Sequence, residues 1–244
     1  MTTKVGVLGA AGRMGSTVCG AVESDDDLEL VARIDVDESL DGLVDAGAEV
    51  AVDFTNPSSV RANVEFCLEH GIHAVVGTTG LSDDDLSALS ERARGAANVF
   101  VAPNFAVGAV LMMRFAAAAA PYFDTAEIVE RHHEKKLDAP SGTALRTAAL
   151  MNEARARAWA SGESTTETLP GSRGGDASGV RIHSLRVRGS VAHQDVIFGS
   201  AGETLTIRHD SLDRASFMPG VLLAVKRVGA LDGLVVGLEN LLDL

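Results

Sequence analysis

The sequence has 244 residues, enough for one large domain or two modest ones, and its 46% of apolar residues allows a substantial core. A formal net charge of −13 argues against binding to nucleic acid or anionic lipid, because a uniformly acidic surface repels phosphate groups. The sequence has no secretory leader pattern, no apolar run of membrane-spanning length and only two cysteines without metal-like spacing, so it predicts a cytoplasmic protein.

The first hundred residues alternate between short apolar strands and helices. Predicted strands cover residues 4–8, 28–34, 50–54, 73–76 and 99–102. Predicted helices lie at 13–23, after Pro57 and at 82–94. Continuous apolar strands separated by helices are typical of an α/β protein with a doubly wound parallel sheet.

A glycine-rich turn joins the first predicted strand to the first helix. It reads Gly9-Ala10-Ala11-Gly12-Arg13-Met14-Gly15. Gly9 permits a tight turn, Gly12 lets the backbone approach a pyrophosphate, and Gly15 lets the helix pack closely on the strand. The spacing GxxGxxG departs from the usual GxGxxG, but the strand before it and the helix after it favour a dinucleotide site over an ordinary turn.

Asp35 ends the second predicted strand, where an acid can accept hydrogen bonds from the adenosine ribose and would repel a 2′-phosphate. Val36 follows it, so no arginine stands beside it to hold such a phosphate, and Arg13 is the one cation in the glycine loop that could compensate. We therefore expect NADH to be used well and NADPH to be possible as cofactor. A solvated turn residue is the alternative for Asp35.

Two further strand ends are expected to border the nicotinamide, because ligands of open α/β sheets bind beyond the carboxyl ends of the strands. One carries Gly77-Thr78-Thr79-Gly80, and the other carries Ala102-Pro103-Asn104-Phe105. The segment 53–55 ends the third strand and can line the same crevice.

The pattern changes after Asn104. A helix at 107–119, a strand at 126–130 and a helix at 141–159 are followed by a polar stretch at 161–179, which predicts a mobile surface loop. Alternating strands at 180–187, 195–198 and 203–209 predict antiparallel strands of a second, open-faced sheet. The tail from Asp213 returns to helix and ends in a short apolar segment.

A basic cluster stands out in this acidic chain. It reads Glu130-Arg131-His132-His133-Glu134-Lys135-Lys136-Leu137-Asp138-Ala139-Pro140-Ser141-Gly142-Thr143. Such a patch would attract an anionic substrate, histidine and lysine can exchange protons, and a helix beginning at Ser141 suits a carboxylate. Two alternatives remain from the residues alone: a metal bound by the adjacent histidines, which no carboxylate–histidine motif supports, and a solvated charged loop.

The cluster resembles the signature E-x-H-H-x-x-K-x-D-A-P-S-G-T of the 4-hydroxy-tetrahydrodipicolinate (dihydrodipicolinate) reductase family. The glycine loop, GTTG, APNF, Gly202-Glu203 and Arg214-x-x-Phe217-x-x-Gly220 follow in family order, so the resemblance runs from about Val5 to the C-terminus. It implies NAD(P)H-dependent reduction of a cyclic dicarboxylate in lysine and diaminopimelate biosynthesis.

The resemblance also implies a role for each residue of the cluster. His132 would handle the proton and Lys136 would donate it, while His133, Ser141, Gly142 and Thr143 would hold the substrate carboxylates. It implies a Rossmann-like dinucleotide-binding domain (1–106 and 214–244) and a substrate-binding and oligomerisation domain (107–213) with an open mixed sheet that builds a homotetramer.

Two departures from the family pattern and two rival functions remain. Lys135 stands where many relatives carry a third histidine, and Asp35-Val36 stands where others carry an acid followed by arginine. The rivals are a related two-domain dehydrogenase of an amino acid or semialdehyde, and a non-catalytic dinucleotide-binding sensor. The first leaves the basic cluster without a purpose, and the second predicts cofactor binding without turnover.

Overall fold

The computed structural model of the chain describes residues 2–95, 97–160 and 166–242. The chain forms two compact units, of which one comprises Met1–Val107 and Arg214–Leu244 and the other comprises Gly108–Asp213. Among the described residues, no helix is long and apolar enough to cross a membrane.

The first unit is built on a parallel sheet that has six strands in the described part of the chain. Numbered along the chain, they are β1 (Thr3–Leu8), β2 (Leu28–Ile34), β3 (Val50–Asp53), β4 (His73–Val76), β5 (Val99–Val101) and β11 (Leu234–Val236). The spatial order is β11-β5-β4-β3-β1-β2, so the strand order reverses between β1 and β3. Ligands of doubly wound sheets bind at that reversal.

Five helices belong to this unit in the described residues: α1 (Arg13–Glu23), α2 (Asp41–Asp45), α3 (Val60–Glu69), α4 (Asp83–Ala93) and α7 (Met218–Val228). Helix α1 buries Gly15, Val18, Cys19 and Val22, the spacing of one helical face. Helix α4 begins at a capping box, in which the Ser82 hydroxyl accepts from the backbone N–H of Asp85 at 3.1 Å.

Apolar side chains fill the space between this sheet and its helices. Leu43, Leu89 and Phe100 are completely buried, and each such side chain contributes roughly 1.5–3 kcal/mol of stability. Cys19 and Cys67 are buried and unpaired, and burial raises the pKa of the Cys67 thiol to about 12. Both cysteines therefore act as small apolar core residues.

The second unit is built on a mixed sheet. Its elements are α5 (Val107–Ala119), β6 (Thr125–His132), α6 (Gly142–Glu153), β7 (Gly175–Ala177), β8 (Val180–Arg186), β9 (Ala192–Ser200) and β10 (Glu203–Ser211). The strand order is β10-β9-β6-β8-β7, with β6 antiparallel to β9 and parallel to β8. One face of the sheet buries Ile128, Val196 and Phe198.

The predicted fold class, a doubly wound parallel sheet with a second mixed-sheet domain, is confirmed. The helix predicted at 141–159 was too long, since it ends at Glu153, after which Arg155 donates to the carbonyls of Ala120 and Phe123. Among the strands predicted as antiparallel after residue 180, β9 and β10 pair in that way, whereas β8 pairs antiparallel with β7 and parallel with β6.

Part of the loop predicted at 161–179 forms a hairpin instead. Residues 161–165 of that loop lie outside the described residues, while Gly175–Ala177 pairs with β8. The turn between these strands places Ser178 at φ 55° and Gly179 at φ 92°, as a two-residue hairpin turn requires. The apolar segment near the C-terminus forms the edge strand β11.

Candidate functional site

The glycine loop has room only for glycine at its critical positions. Gly9 has a φ of 76°, and a Cβ there would lie 2.5 Å from the carbonyl oxygen of Phe54. A Cβ on Gly15 would lie 2.0 Å from the carbonyl oxygen of Gly9. Gly12 precedes α1 and offers no side-chain cap, so the first N–H groups of the helix stay available to an anion.

Asp35 is tied to this loop from the end of β2. Its Oδ2 accepts from the N–H of Ala11 at 2.6 Å, and its Oδ1 accepts from the N–H of Val36 at 3.0 Å. Glu38 accepts from the N–H of Asp35 at 2.7 Å. Both carboxylates line a cavity of about 320 Å³ together with Gly9 and Gly12. Within the described residues, no lysine or arginine lines it.

A second cavity of about 380 Å³ lies on the other side of the glycine loop. Its lining includes Gly12, Arg13, Met14, Phe54, Thr55, Gly77, Thr78 and Thr79. The structure therefore places Arg13 against the GTTG loop, whereas Asp35 lines the first cavity. A crowded glycine turn, free helix N–H groups and two flanking cavities fit a dinucleotide laid across the sheet.

A buried carboxylate joins two of the loops that line this second cavity. Asp53 is only 2% exposed, and it accepts from the hydroxyl of Thr78 at 2.6 Å, from the hydroxyl of Thr55 at 2.7 Å and from the Nδ2 of Asn63 at 2.8 Å. These bonds hold the strand ends after β3 and β4 together. The contribution of Asn63 comes from α3 and was not predicted.

The APNF segment divides between core and surface. Ala102 and Phe105 are buried, and the Phe105 ring lies 5.9 Å from that of Phe54. The side chain of Asn104 accepts from the N–H of Ala106 at 2.9 Å just before α5, and Pro103 is exposed. The backbone of this segment and Asn104, rather than the Phe105 ring, thus remain at the strand end.

In the second unit, His132 ends β6 and shares a face with Glu130. Glu130 is fully buried and accepts from the Nδ1 of His132 at 2.5 Å. Arg186 on β8 donates to both Glu130 oxygens, each at 3.0 Å, and the N–H of Ser141 donates at 3.3 Å. One carboxylate thus joins β6, β8 and the start of α6.

Lys136 lies on the loop between β6 and α6. Its ammonium donates to both oxygens of Asp138, at 2.8 and 2.9 Å. The carbonyl of Asp138 in turn accepts from Arg186 at 2.5 Å, which places the lysine loop beside the Glu130 cluster. His133 is exposed, and its carbonyl accepts from the N–H of Lys136. A cis peptide bond joins Ala139 to Pro140 before the helix.

The two central titratable groups of this cluster have shifted pKa values. Burial lowers the pKa of His132, Lys136 and Arg186 lower it further, and Glu130 opposes this shift. Burial acts to raise the pKa of Glu130, but hydrogen bonds from Arg186, Ser184 and His132 outweigh it, so its pKa is lowered. Near neutral pH, Glu130 is therefore a carboxylate and His132 can exchange a proton.

The start of α6 provides the anion-binding geometry. Ser141 is buried, and its hydroxyl caps the helix by accepting from the N–H of Ala144 at 3.2 Å. Gly142 is exposed, and a Cβ built on it would meet nothing within 4 Å. No acidic residue occupies the first turn of α6, and the Glu130 carboxylate reaches only the N–H of its N-cap, Ser141.

The structure therefore gathers the predicted residues into two groups. In the first unit the glycine loop, Asp35 and the GTTG loop line two adjacent cavities. In the second unit His132, Lys136 and Ser141 converge on Glu130, Arg186 and Asp138. Sequence reasoning missed Glu38 and Arg186. No sequence signal pointed to Arg186, because its pairing with the buried Glu130 depends on the register of β6 and β8.

Known proteins resemble this chain along its whole length. Residues 3–105 match the family described as "Dihydrodipicolinate reductase, N-terminus", and residues 108–242 match "Dihydrodipicolinate reductase, C-terminus". The 4-hydroxy-tetrahydrodipicolinate reductase of Nocardia farcinica is 55% identical, with 100% of both chains covered. That of Mycolicibacterium vanbaalenii is 53% identical, with 99% of both chains covered.

Solved structures give the same result. A dipicolinate-bound dihydrodipicolinate reductase from Paenisporosarcina sp. TG-14 superposes with a TM-score of 0.91 at 39% identity, covering 99% of this chain and 100% of that one. A probable dehydrogenase from Thermotoga maritima, at 14% identity and a TM-score of 0.63 over 98% and 92% of the two chains, shares the fold alone. The chain therefore belongs to the dihydrodipicolinate reductase family, the 4-hydroxy-tetrahydrodipicolinate reductases, which use NADH or NADPH in lysine and diaminopimelate biosynthesis.

Proposed function

We propose that the second unit binds the cyclic dicarboxylate substrate and supplies a proton to it, while the first unit binds the reductant. His132, Lys136 and the N-terminus of α6 are the groups that act on the substrate. The observation that carries this assignment is the convergence of a proton-exchanging imidazole, a lysine loop and the N-terminus of α6 around the buried Glu130.

Each group has a distinct role in substrate binding. The N–H groups at Gly142 and Thr143 donate to one substrate carboxylate, and the exposed His133 contributes to carboxylate binding from the preceding loop. Ser141 acts mainly by capping the helix that presents those N–H groups. The cations of the cluster balance the two carboxylates of the substrate and the negative charge that develops during reduction. The relative from Paenisporosarcina, which binds dipicolinate, supports a cyclic dicarboxylate as ligand.

The reduction needs one hydride, one proton and the loss of one water molecule. Bound NADH or NADPH supplies the hydride. His132 handles the proton and Lys136 donates it to the substrate, so that tetrahydrodipicolinate and water leave while the cofactor is oxidised. Before the transfer, the ammonium of Lys136 moves from Asp138 to a substrate carboxylate, so that it stays paired with an anion until it gives up its proton.

The cofactor is bound by the glycine loop, Asp35 and the GTTG and APNF loops. The N–H groups of α1 bind the pyrophosphate, and Gly9, Ala10, Ala11, Gly12, Arg13 and Met14 form the turn around it. Asp35 accepts from the adenosine ribose. Gly77, Thr78, Thr79, Ala102, Pro103, Asn104 and Phe105 border the nicotinamide, with Phe105 supporting the loop from the core.

The decisive experiment measures oxidation of NADH and of NADPH with the substrate generated in situ from pyruvate and aspartate semialdehyde by the preceding synthase. His132→Ala and Lys136→Ala should each lower kcat by roughly a hundredfold or more, because each removes a proton-transfer group. Lys135→Ala is the matched control for Lys136→Ala, because Lys135 is the adjacent lysine and its side chain is exposed. Near-normal rates in both test variants would refute the assignment.

We further propose that the protein is a cytoplasmic homotetramer assembled through the open face of the second sheet. Ile197 and Leu185 lie on that face and are 37% and 41% exposed, beside Val129. Ile197→Glu should therefore dissociate the assembly in light scattering coupled to size exclusion. Leu169→Glu, at a 70% exposed position outside that sheet, should leave the mass unchanged. A wild-type monomer would contradict the proposal.

A further inference from the structure

Glu130 combines features that an ordinary structural ion pair does not need. It is completely buried on β6, yet it contacts the proton-handling histidine, an arginine from β8 and the backbone that begins α6. Its two oxygens are shared between these partners, so no single partner accounts for its position. Removing it would release three separate parts of the substrate site at once.

The contact with His132 fixes which ring nitrogen carries the proton. An ionised carboxylate can only accept hydrogen bonds, so the Nδ1 of His132, 2.5 Å away, must be the donor. In the neutral imidazole the Nε2 is then unprotonated, and in the imidazolium the Nε2–H is the proton available for transfer. The tautomer of His132 is therefore set by its neighbour two residues earlier.

We propose that Glu130 is a positioning residue that fixes the Nδ1–H tautomer of His132 and, through Arg186 and the N–H of Ser141, holds the carboxylate-binding turn of α6 in register with it. The inference rests on the proposed role of His132. Glu130 itself touches neither substrate nor cofactor. Its effect on the reaction passes through the three groups that it orients.

The charges around His132 determine the expected effect on pH dependence. Glu130 faces it from β6, Arg186 from β8 and Lys136 from the following loop. Its partner on β9 is the uncharged Ala192, and the N-cap of α6, Ser141, is uncharged and bonds to Glu130. Glu130 is the one anion among these and raises the pKa of His132, whereas Lys136 and Arg186 lower it. Without Glu130, the pKa of His132 would be lower, so the imidazolium would lose its proton at a lower pH.

The test compares Glu130→Gln with Glu127→Gln. Glu127 lies on the same strand and likewise pairs with a histidine and an arginine, His183 and Arg173, on the opposite face of the sheet. Glu130→Gln should lower kcat by about tenfold to a hundredfold and move the alkaline limb of the kcat profile down by about one pH unit. The KM for NADH should not change, and Glu127→Gln should leave the alkaline limb of the kcat profile at its wild-type pH.

The outcomes separate the two proposals. A Glu130→Gln enzyme with the wild-type kcat and limb, alongside an inactive His132→Ala, would overturn the inference and leave the role of His132 intact. An active His132→Ala would remove the proposed function itself. A purely structural role for Glu130 would lower the thermal midpoint and the amount of active enzyme, but it would not move the limb.

A measurement on the wild type covers the case in which Glu130→Gln fails to fold. The ¹⁵N chemical shifts of the His132 ring report which ring nitrogen is protonated when the pH is above the pKa of His132. The signals are assigned to His132 because they disappear in His132→Ala. Protonated Nδ1 and bare Nε2 are expected. A neutral ring protonated at Nε2 would overturn the inference.

Discussion

Asp35 and Glu38 give the first cavity of the proposed dinucleotide site a doubly acidic wall. Both line the cavity beside the glycine loop, and neither has a cationic neighbour among its described lining residues. Arg13, the one cation of the glycine loop, lines the other cavity. A 2′-phosphate in the first cavity would therefore meet two carboxylates, which favours NADH over NADPH.

Replacing Asp35 should change the ratio of cofactor efficiencies. In Asp35→Asn, Oδ1 can still accept a backbone hydrogen bond, but the repulsion of a 2′-phosphate is reduced. We expect the ratio of kcat/KM for NADH to that for NADPH to fall by about tenfold, equivalent to about 1.4 kcal/mol. Steady-state rates with both cofactors provide the measurement.

Asp37→Asn is the matched control for this prediction. It removes the same charge two residues away, at an exposed position that does not line the cavity. It should leave the ratio close to that of the wild type. An equal change in both variants would show that net charge, rather than the wall of the cavity, sets the preference.

Two residues of these sites, Arg186 and Glu38, could not be identified from the sequence. The cluster from Glu130 to Thr143 is contiguous, so its chemistry can be read directly from the chain. Arg186 lies 56 residues from Glu130, and Glu38 reaches the cavity beside the glycine loop only because the chain turns after β2. Such pairs depend on strand register and turn geometry, which residue types alone do not encode.

At the scale of the element, substitutions of two glycines in α1 test how closely this helix packs on the glycine turn. Gly15→Ala should weaken NADH binding by at least about tenfold and lower the thermal midpoint, because its Cβ would lie 2.0 Å from the backbone oxygen of Gly9. Gly20 lies in the same helix with nothing within 4 Å of an added Cβ. Gly20→Ala should stabilise the protein by about 0.5–1 kcal/mol.

Fluorescence titration with NADH and thermal unfolding would measure both effects. Gly20→Ala should bind NADH as the wild type does. If Gly15→Ala bound NADH normally, the close packing of α1 on the glycine turn would not be required for the cofactor site.

Elements with strong local signals were predicted with accurate ends. The bounds of α1, β2, β4 and α5 match the sequence expectation, since each is an apolar periodic run with a clear start and stop. The three-residue strands β7 and β11 were missed because such a short segment becomes a strand only through pairing with a neighbour. The orientation of β8 was likewise set by its pairing with β6.

At the scale of the whole molecule, three histidines from both units predict a stability that declines in mild acid. Burial lowers the pKa of His73, His132 and His209 below the ordinary value of 6.5. As the pH falls, the unfolded chain therefore binds protons at these histidines at a higher pH than the folded protein does. The stability that these neutral histidines contribute is fully present above about pH 6.5, and it is lost as the pH falls from that value through their lower pKa values in the folded protein.

Thermal unfolding at pH 7.5, 6.5 and 5.5 would check this, with about 0.5 M salt to screen the net charge. The midpoint should change little between pH 7.5 and 6.5 and should fall clearly between pH 6.5 and 5.5. His73 provides a specific comparison, because its Nδ1 accepts from the N–H of Asn98 at 2.9 Å and must be unprotonated to do so. His73→Gln should reduce the slope, and a midpoint that rises on acidification would contradict the prediction.

Strand β11, near the C-terminus, covers the edge of β5 and therefore affects how the protein folds during its synthesis. Leu234 and Val236 pair with Val99 and Val101 of β5, although the whole second unit separates them along the chain. During synthesis, β5 therefore keeps an unpaired edge until the ribosome has translated residues 234–236. Unpaired strand edges promote association between chains. Nascent molecules stalled before this point would be the species most dependent on chaperones, whereas the second unit is translated in full before β11 emerges.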